Sequence, residues 1–214
     1  MACQILIADA SGIKEAARII LQGGVVAFPT ETFYGLAADV LNEGALQKIF
    51  QIKGREENKP LLLLAADRSW VPGLVQRISP LAERLMEKFW PGPLTLVFEA
   101  SPHLPAILTA NTGKVGLRIS THSVAQSLVQ AVGRAITGTS ANLSGQPSVS
   151  TAEEVFQALG SSKLGAILDG GKTAGGLGST VLDVSGISTQ VIREGVISRR
   201  ELARFLRKDG DFSA

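Results

Sequence analysis

Lys53-Gly54-Arg55-Glu56-Glu57-Asn58-Lys59-Pro60, continued by Leu61-Leu62-Leu63-Leu64, sets three cations ahead of an unbroken apolar run. Upstream, Ala45, Leu46, Ile49 and Phe50 recur at the spacing of one helix face. Leu61 to Ala66 then reads as a strand covered on both faces, because such strands lack the apolar–polar alternation of half-exposed ones. A helix, a cationic turn and a buried strand are the signature of an α/β sheet. The cations have two readings. They complement the negative end of the helix that they follow, or the forked guanidinium and mobile ammoniums hold a polyanion at the strand edge.

The same alternation runs outward in both directions. Cys3 to Ala8 reads as a strand, followed by a helix capped by Ser11, with Ile13, Ala16, Ala17, Ile20 and Leu21 on one face and Gly23-Gly24 at its end. Val25 to Phe28 is a second strand, and it enters Pro29-Thr30-Glu31-Thr32-Phe33-Tyr34-Gly35-Leu36, where hydroxyls and a carboxylate follow buried sequence abruptly. Strand ends of α/β sheets bind ligands, although threonines in a turn also satisfy local backbone groups. Downstream, Ser79-Pro80 supplies an N-cap and a first-turn proline, and Trp90-Pro91-Gly92-Pro93 ends that helix. Strands are predicted at Thr95 to Glu99, Val115 to Ile119, Ala135 to Thr137, Ala166 to Asp169, Val181 to Val184 and Gln190 to Arg193. Helices are predicted from Ser123 to Val132, from the Thr151/Glu154 capping box through Leu159, and after Ser198 and Glu201. Asp67 to Ile78 is ambiguous, and Ser101 to Gly113 is mostly loop. His122 reads as a helix-start residue, and the arginines of the last helix as a solvated face.

Two polar loops invite a phosphate-binding reading. Gly138-Thr139-Ser140-Ala141-Asn142-Leu143-Ser144-Gly145 concentrates small donors and acceptors, as a phosphate cradle or a plain turn does. The glycine-rich run from Gly170 to Thr180 contains Lys172, but Gly165 lies one residue too far from it for a Walker loop. A strand also follows where that motif requires a helix. The segment is therefore expected to be a flexible, ligand-covering stretch.

Composition narrows the class. With 214 residues, 45% hydrophobic and 19% charged, the chain has the makeup of a soluble globular protein, read as one domain with its last residues from 196 a C-terminal helix and tail. No repeat or long linker divides it. A net charge of +2 does not by itself argue for nucleic acid or membrane. One cysteine and two histidines argue against a disulfide framework and a dedicated zinc site. No apolar run is long enough for a bilayer, and no signal-peptide pattern opens the chain, so a cytoplasmic location is expected.

In this order and at this spacing the motifs resemble the YrdC/Sua5 family. They are Pro29 to Leu36, Lys53 with Arg55, Lys59-Pro60-Leu61, Trp90 to Leu96, Ser140-Ala141-Asn142 with Ser144-Gly145, Ser179-Thr180-Val181 with Asp183, and Arg193-Glu194-Gly195. The resemblance implies a twisted mixed α/β sheet flanked by helices around a concave, positively charged pocket. It implies synthesis of threonylcarbamoyl-AMP and pyrophosphate from L-threonine, bicarbonate and ATP, with Mg2+ accompanying the ATP. Partner proteins of the t6A transferase complex would then modify adenosine 37 of tRNA, and direct contact with tRNA or double-stranded RNA is a further expectation. By matching motif, Lys53, Arg55, Ser140 and Asn142 would be catalytic; Arg55, Lys59, Lys114, Ser140, Asn142, Ser148 and Arg193 would hold ATP; Thr32, Arg118, Gly138 and Ser179 would hold threonine.

The chain departs from the family pattern in places. Many relatives read Arg-x-Pro-x-His where this chain has Arg118-Ile119-Ser120-Thr121-His122, and some have a histidine where it has Leu64. It is expected to be the short form, without the additional C-terminal domain of longer relatives. Alternatives are an RNA-binding module of the same fold without catalysis and a paralogue acting on another substrate. A carbamoyltransferase of hydrogenase maturation is disfavoured, since that class carries paired-cysteine zinc motifs.

Overall fold

Apolar side chains at alternate strand positions build two sheets, whose facing surfaces leave a cavity between them. The computed structural model describes residues 3–54, 59–160 and 162–208. In chain order its strands are β1 (Gln4–Ile7), β2 (Val26–Pro29), β3 (Tyr34–Ala37), β4 (Leu62–Leu64), β5 (Leu94–Glu99), β6 (Lys114–Arg118), β7 (Ile136–Thr137), β8 (Thr139–Ser140), β9 (Ala166–Asp169), β10 (Thr180–Asp183) and β11 (Gln190–Arg193). The helices are α1 (Ala10–Leu21), α2 (Glu43–Lys53), α3 (Pro80–Phe89), α4 (Ala106–Thr109), α5 (Ser123–Val132), α6 (Ala152–Leu159) and α7 (Arg199–Lys208).

The strands form a five-stranded sheet of order β1-β9-β2-β3-β8 and a six-stranded sheet of order β11-β10-β5-β6-β4-β7. Both are mixed: β1 and β2 run parallel to β9, for example, while β3 runs antiparallel to β2 and β8. The expected mixed α/β fold flanked by helices is present, with its strands divided between two sheets. The chain crosses from one sheet to the other at Gly138, between β7 and β8. A Cβ there would come within 2.8 Å of the Leu64 side chain, and the Gly138 amide donates to the Leu62 carbonyl at 2.8 Å. Only a residue without a side chain lets the backbone pass β4 so closely.

One core cluster gathers Ala16, Ala17 and Ile20 of α1 with Leu128, Val129 and Val132 of α5 against Val26, Phe28 and Leu168 of the five-stranded sheet. The larger cluster takes Leu46, Ile49 and Phe50 of α2 and Leu85, Met86 and Phe89 of α3, with Leu94, Leu96 and Phe98 of β5. Leu96 is fully buried, and truncating such a residue to alanine costs about 2–5 kcal/mol.

Local signals place most of these elements. Ser79 Oγ accepts from the Ala82 amide beneath Pro80, and Thr151 and Glu154 form both halves of a capping box. Two details differ from expectation. The cap of α1 is Asp9, whose carboxylate accepts from the Gly12 amide, rather than Ser11. β3 also lies within the stretch read as a polar loop: the turn ends at Phe33, and Tyr34 to Ala37 pair back on β2. No helix among the described residues is long and apolar enough to cross a membrane.

Candidate active site

Strand alternation decides what faces the cavity. In the six-stranded sheet, Leu96 and Leu117 point into the core, while their neighbours Thr95, Val97, Gly116 and Arg118 line the opposite face with Val181 and Asp183. From the other sheet come the β2–β3 turn, with Thr30, Thr32 and Phe33, and Ser140 of β8. The volume of this open cavity is about 540 Å3. It lies in the size range of small-molecule sites, with apolar walls and a few directed polar groups.

Eight of the residues singled out in the sequence line this one space: Thr32, Lys114, Arg118, Gly138, Ser140, Ser148, Ser179 and Arg193. Other predicted residues lie apart from it. Lys53 ends α2 at 3% exposure, and its ammonium donates to the carbonyls of Ser140 and, at 2.8 Å, Asn142. Asn142 is buried behind the same loop, its amide donating to the carbonyls of Leu143 and Gln146 at 2.8 and 2.6 Å. Neither lines the cavity; together they shape the loop that does. Lys59 is exposed outside it, and Arg55 lies outside the described residues.

The charged groups are arranged unequally. Arg118, on β6, is 3% exposed and pairs through Nη1 with Glu31, whose second oxygen accepts from the Ser120 hydroxyl. Burial pushes the Arg118 guanidinium below its ordinary range; Glu31 opposes that, and Arg193 adds to it by like-charge repulsion. Arg193, also lowered by burial, donates to the Ser179 carbonyl through Nη2 at 2.8 Å and Nε at 3.3 Å. Ser179 Oγ in turn lies 2.9 Å from Thr95 Oγ1, so Ser179, just ahead of β10, links β11 to β5. Lys114 meets Asp183 at 2.8 Å and is 45% exposed. Burial pushes the Asp183 carboxyl up, but donors from Lys114 and Ser185 outweigh it and hold the group below the usual range.

The glycine-rich segment is tied down rather than loose. Its Thr173 and Gly175 amides donate to the carbonyls of Ser150 and Thr32 at 2.9 and 2.8 Å. The Tyr34 hydroxyl donates to the Gly171 carbonyl at 2.8 Å and accepts from the Gly170 amide at 3.3 Å. Burial is the main reason the Tyr34 phenol is pushed up to about 12. His122 takes the N-cap position of α5, as expected; burial lowers its imidazole, against the pull of Glu31.

Sequence reasoning did not assign Glu31, Thr95 or Asp183 to the site. Glu31 and Arg118 are 87 residues apart, and only the fold brings them together. A signal was present for all three: Glu31 stands between the threonines of the Pro29–Leu36 motif, Thr95 lies in the Trp90–Leu96 motif, and Asp183 closes the Ser179-Thr180-Val181 motif. Among the described residues no group of three His, Cys, Asp or Glu could hold a metal ion.

The family model for Sua5, YciO and YrdC proteins, described as "Telomere recombination", matches residues 18–195. A threonylcarbamoyl-AMP synthase of Pyrococcus abyssi is 38% identical over 91% of this chain and 57% of its own length. One of Bacillus subtilis is 39% identical over 89% of this chain and 55% of its own. A crystal structure of P. abyssi Sua5 complexed with L-threonine superposes with a TM-score of 0.90 at 36% identity, over 95% of this chain and 60% of that one. The chain thus spans little more than half the length of these relatives. With most of its length matched by the family model and its fold shared, this chain belongs to the Sua5/YciO/YrdC family.

Proposed function

We propose that the protein is a threonylcarbamoyl-AMP synthase, converting L-threonine, bicarbonate and ATP to threonylcarbamoyl-AMP and pyrophosphate. The observation that carries this reading is that Arg118 and Ser140, on different sheets, line a single cavity. Arg118 offers a partner for the carboxylate of an amino acid, and Ser140 and Ser148 offer donors for a nucleotide. The relatives' name and the threonine complex of P. abyssi Sua5 support threonine as substrate and an adenylate as product.

In this reading threonine's amine attacks the carbon of bicarbonate, and loss of water leaves a carbamate. A carbamate oxygen then attacks the α-phosphorus of ATP, and pyrophosphate departs. Both partners are anionic, so the protein has to align them and offset their charge; no nucleophilic side chain is required. Arg118 and Thr32, with Gly138 and Ser179, hold threonine. Arg193, Lys114, Ser140 and Ser148 hold ATP, with Lys59 and Arg55 on its phosphates. Lys53 and Asn142 fix the Ser140 loop. Magnesium enters as part of the substrate, held by phosphate oxygens and water. Transferase partners then carry the threonylcarbamoyl group to tRNA.

Mass spectrometry of the products from Mg2+-ATP, bicarbonate and each amino acid in turn tests the reading. The expected result is the threonylcarbamoyl adenylate with equimolar pyrophosphate, dependent on bicarbonate. Absence of that adenylate with L-threonine would overturn it, and an adenylate of another amino acid would identify a different substrate.

A further inference from the structure

Arg118 is held from one side only. Nη1 is paired with Glu31, while Nε is buried and has no hydrogen-bond partner among the described residues. Nε and Nη2 form the side-on edge of a guanidinium, which matches the two oxygens of a carboxylate. A buried donor without a partner is costly, so this edge suits a ligand in the cavity that Arg118 lines.

The Glu31 carboxylate is in turn fixed by Ser120. That hydroxyl is 2% exposed, donates to Glu31 and accepts from the His122 amide at 3.2 Å, so its direction is set by both neighbours. The Ser120 carbonyl accepts from Gln126 Nε2 at 2.7 Å, which anchors the turn to α5. A carboxylate held at both oxygens cannot swing round to cover the Nε edge.

We propose that Ser120 and Glu31 are positioning residues for amino-acid recognition: they hold the Nη1 side of Arg118 so that its Nε–Nη2 edge is kept for the substrate carboxylate. The inference rests on the synthase reading and adds to it the groups that set carboxylate selectivity. A serine supplies here a donor that the proline of the related Arg-x-Pro-x-His pattern lacks.

The test is steady-state kinetics of Ser120→Ala and Glu31→Gln in the full chain, measured by pyrophosphate release, with melting temperatures as a fold control. Ser120→Ala is expected to raise the KM for L-threonine about fivefold, with kcat and the KM for ATP changed less than about twofold. Glu31→Gln is expected to raise the threonine KM about tenfold or more. An unchanged threonine KM in folded Ser120→Ala, or equal rises for both substrates, would overturn the proposal. Should Glu31→Gln fail to fold, Ser120→Ala decides alone. Should the wild-type protein form no adenylate, the synthase reading fails by itself. Calorimetric titration with L-threonine then reads the positioning directly: weaker binding by Ser120→Ala upholds it, and equal binding, or none by either protein, overturns it.

Discussion

Lys53 and Arg118 are both buried cations near the same cavity, and the fold directs them oppositely. The Lys53 ammonium turns onto the backbone carbonyls of Ser140 and Asn142 and serves as a strut beneath the loop that carries them. Arg118 lines the cavity itself, balanced by Glu31. The difference follows from geometry. Lysine is a point charge that can satisfy converging carbonyls, whereas arginine can give one edge to a carboxylate and keep another for a ligand. A cation in a motif therefore does not reveal whether it touches substrate or builds the surface that does.

The sharpest way to break this contrast is Lys53→Ala. As a strut, Lys53 should take with it about 2–3 kcal/mol of stability and about a hundredfold or more of threonine-dependent pyrophosphate release. Loss of turnover at an unchanged melting temperature would instead mean that the ammonium acts on the ligand. Next in size, Arg118→Lys keeps the charge and removes the fork. The kcat/KM for threonine should fall about thirtyfold with the KM for ATP nearly unchanged, as read by varying each substrate in turn.

A smaller effect is expected at Tyr34, which joins β3 to the glycine-rich segment rather than charge to charge. Tyr34→Phe should cost about 1 kcal/mol, measured by denaturant unfolding near neutral pH. Its folded phenol titrates at about 12 against an ordinary 10. The stabilisation is therefore complete below pH 10 and disappears as pH climbs through 12, and the phenylalanine variant should lack that alkaline decline. Least affected should be Lys114→Ala, because an ion pair that is 45% exposed on the lysine side is screened by water. Stability should change by less than about 1 kcal/mol, while the KM for ATP, which Lys114 helps to hold in the proposed reading, should rise about threefold. Asp183 is held below its ordinary value of 3.8, so its contribution is present above that pH and is lost as acid titrates it below. An acid titration should show that small component disappear in the variant.

Much of this architecture is legible in the sequence because it is decided locally. Ser79-Pro80, the Thr151/Glu154 box and the helix from Ser123 to Val132 carry their own boundary signals, and apolar runs such as Ala166 to Asp169 announce buried strands. β3 was hidden because Tyr34 to Ala37 follow a polar turn so closely that the whole motif reads as a loop, although all four residues are buried. The crossing between the sheets at Gly138 is equally invisible, since it lies against Leu64, 74 residues away by their numbers. The site divides the same way. Motif order gave Thr32, Ser140, Ser179 and Arg193, but the orientation of Lys53 and the Glu31–Arg118–Ser120 linkage depend on contacts between distant segments.

The stretch from Ile136 to Ser140 belongs to both sheets at once, as β7 in one and β8 in the other. Neither layer can be completed while its neighbour is unformed, because the same few peptide groups must register with each. Heat or denaturant should therefore dismantle both layers in one all-or-none transition, with circular dichroism and tryptophan fluorescence following coincident curves.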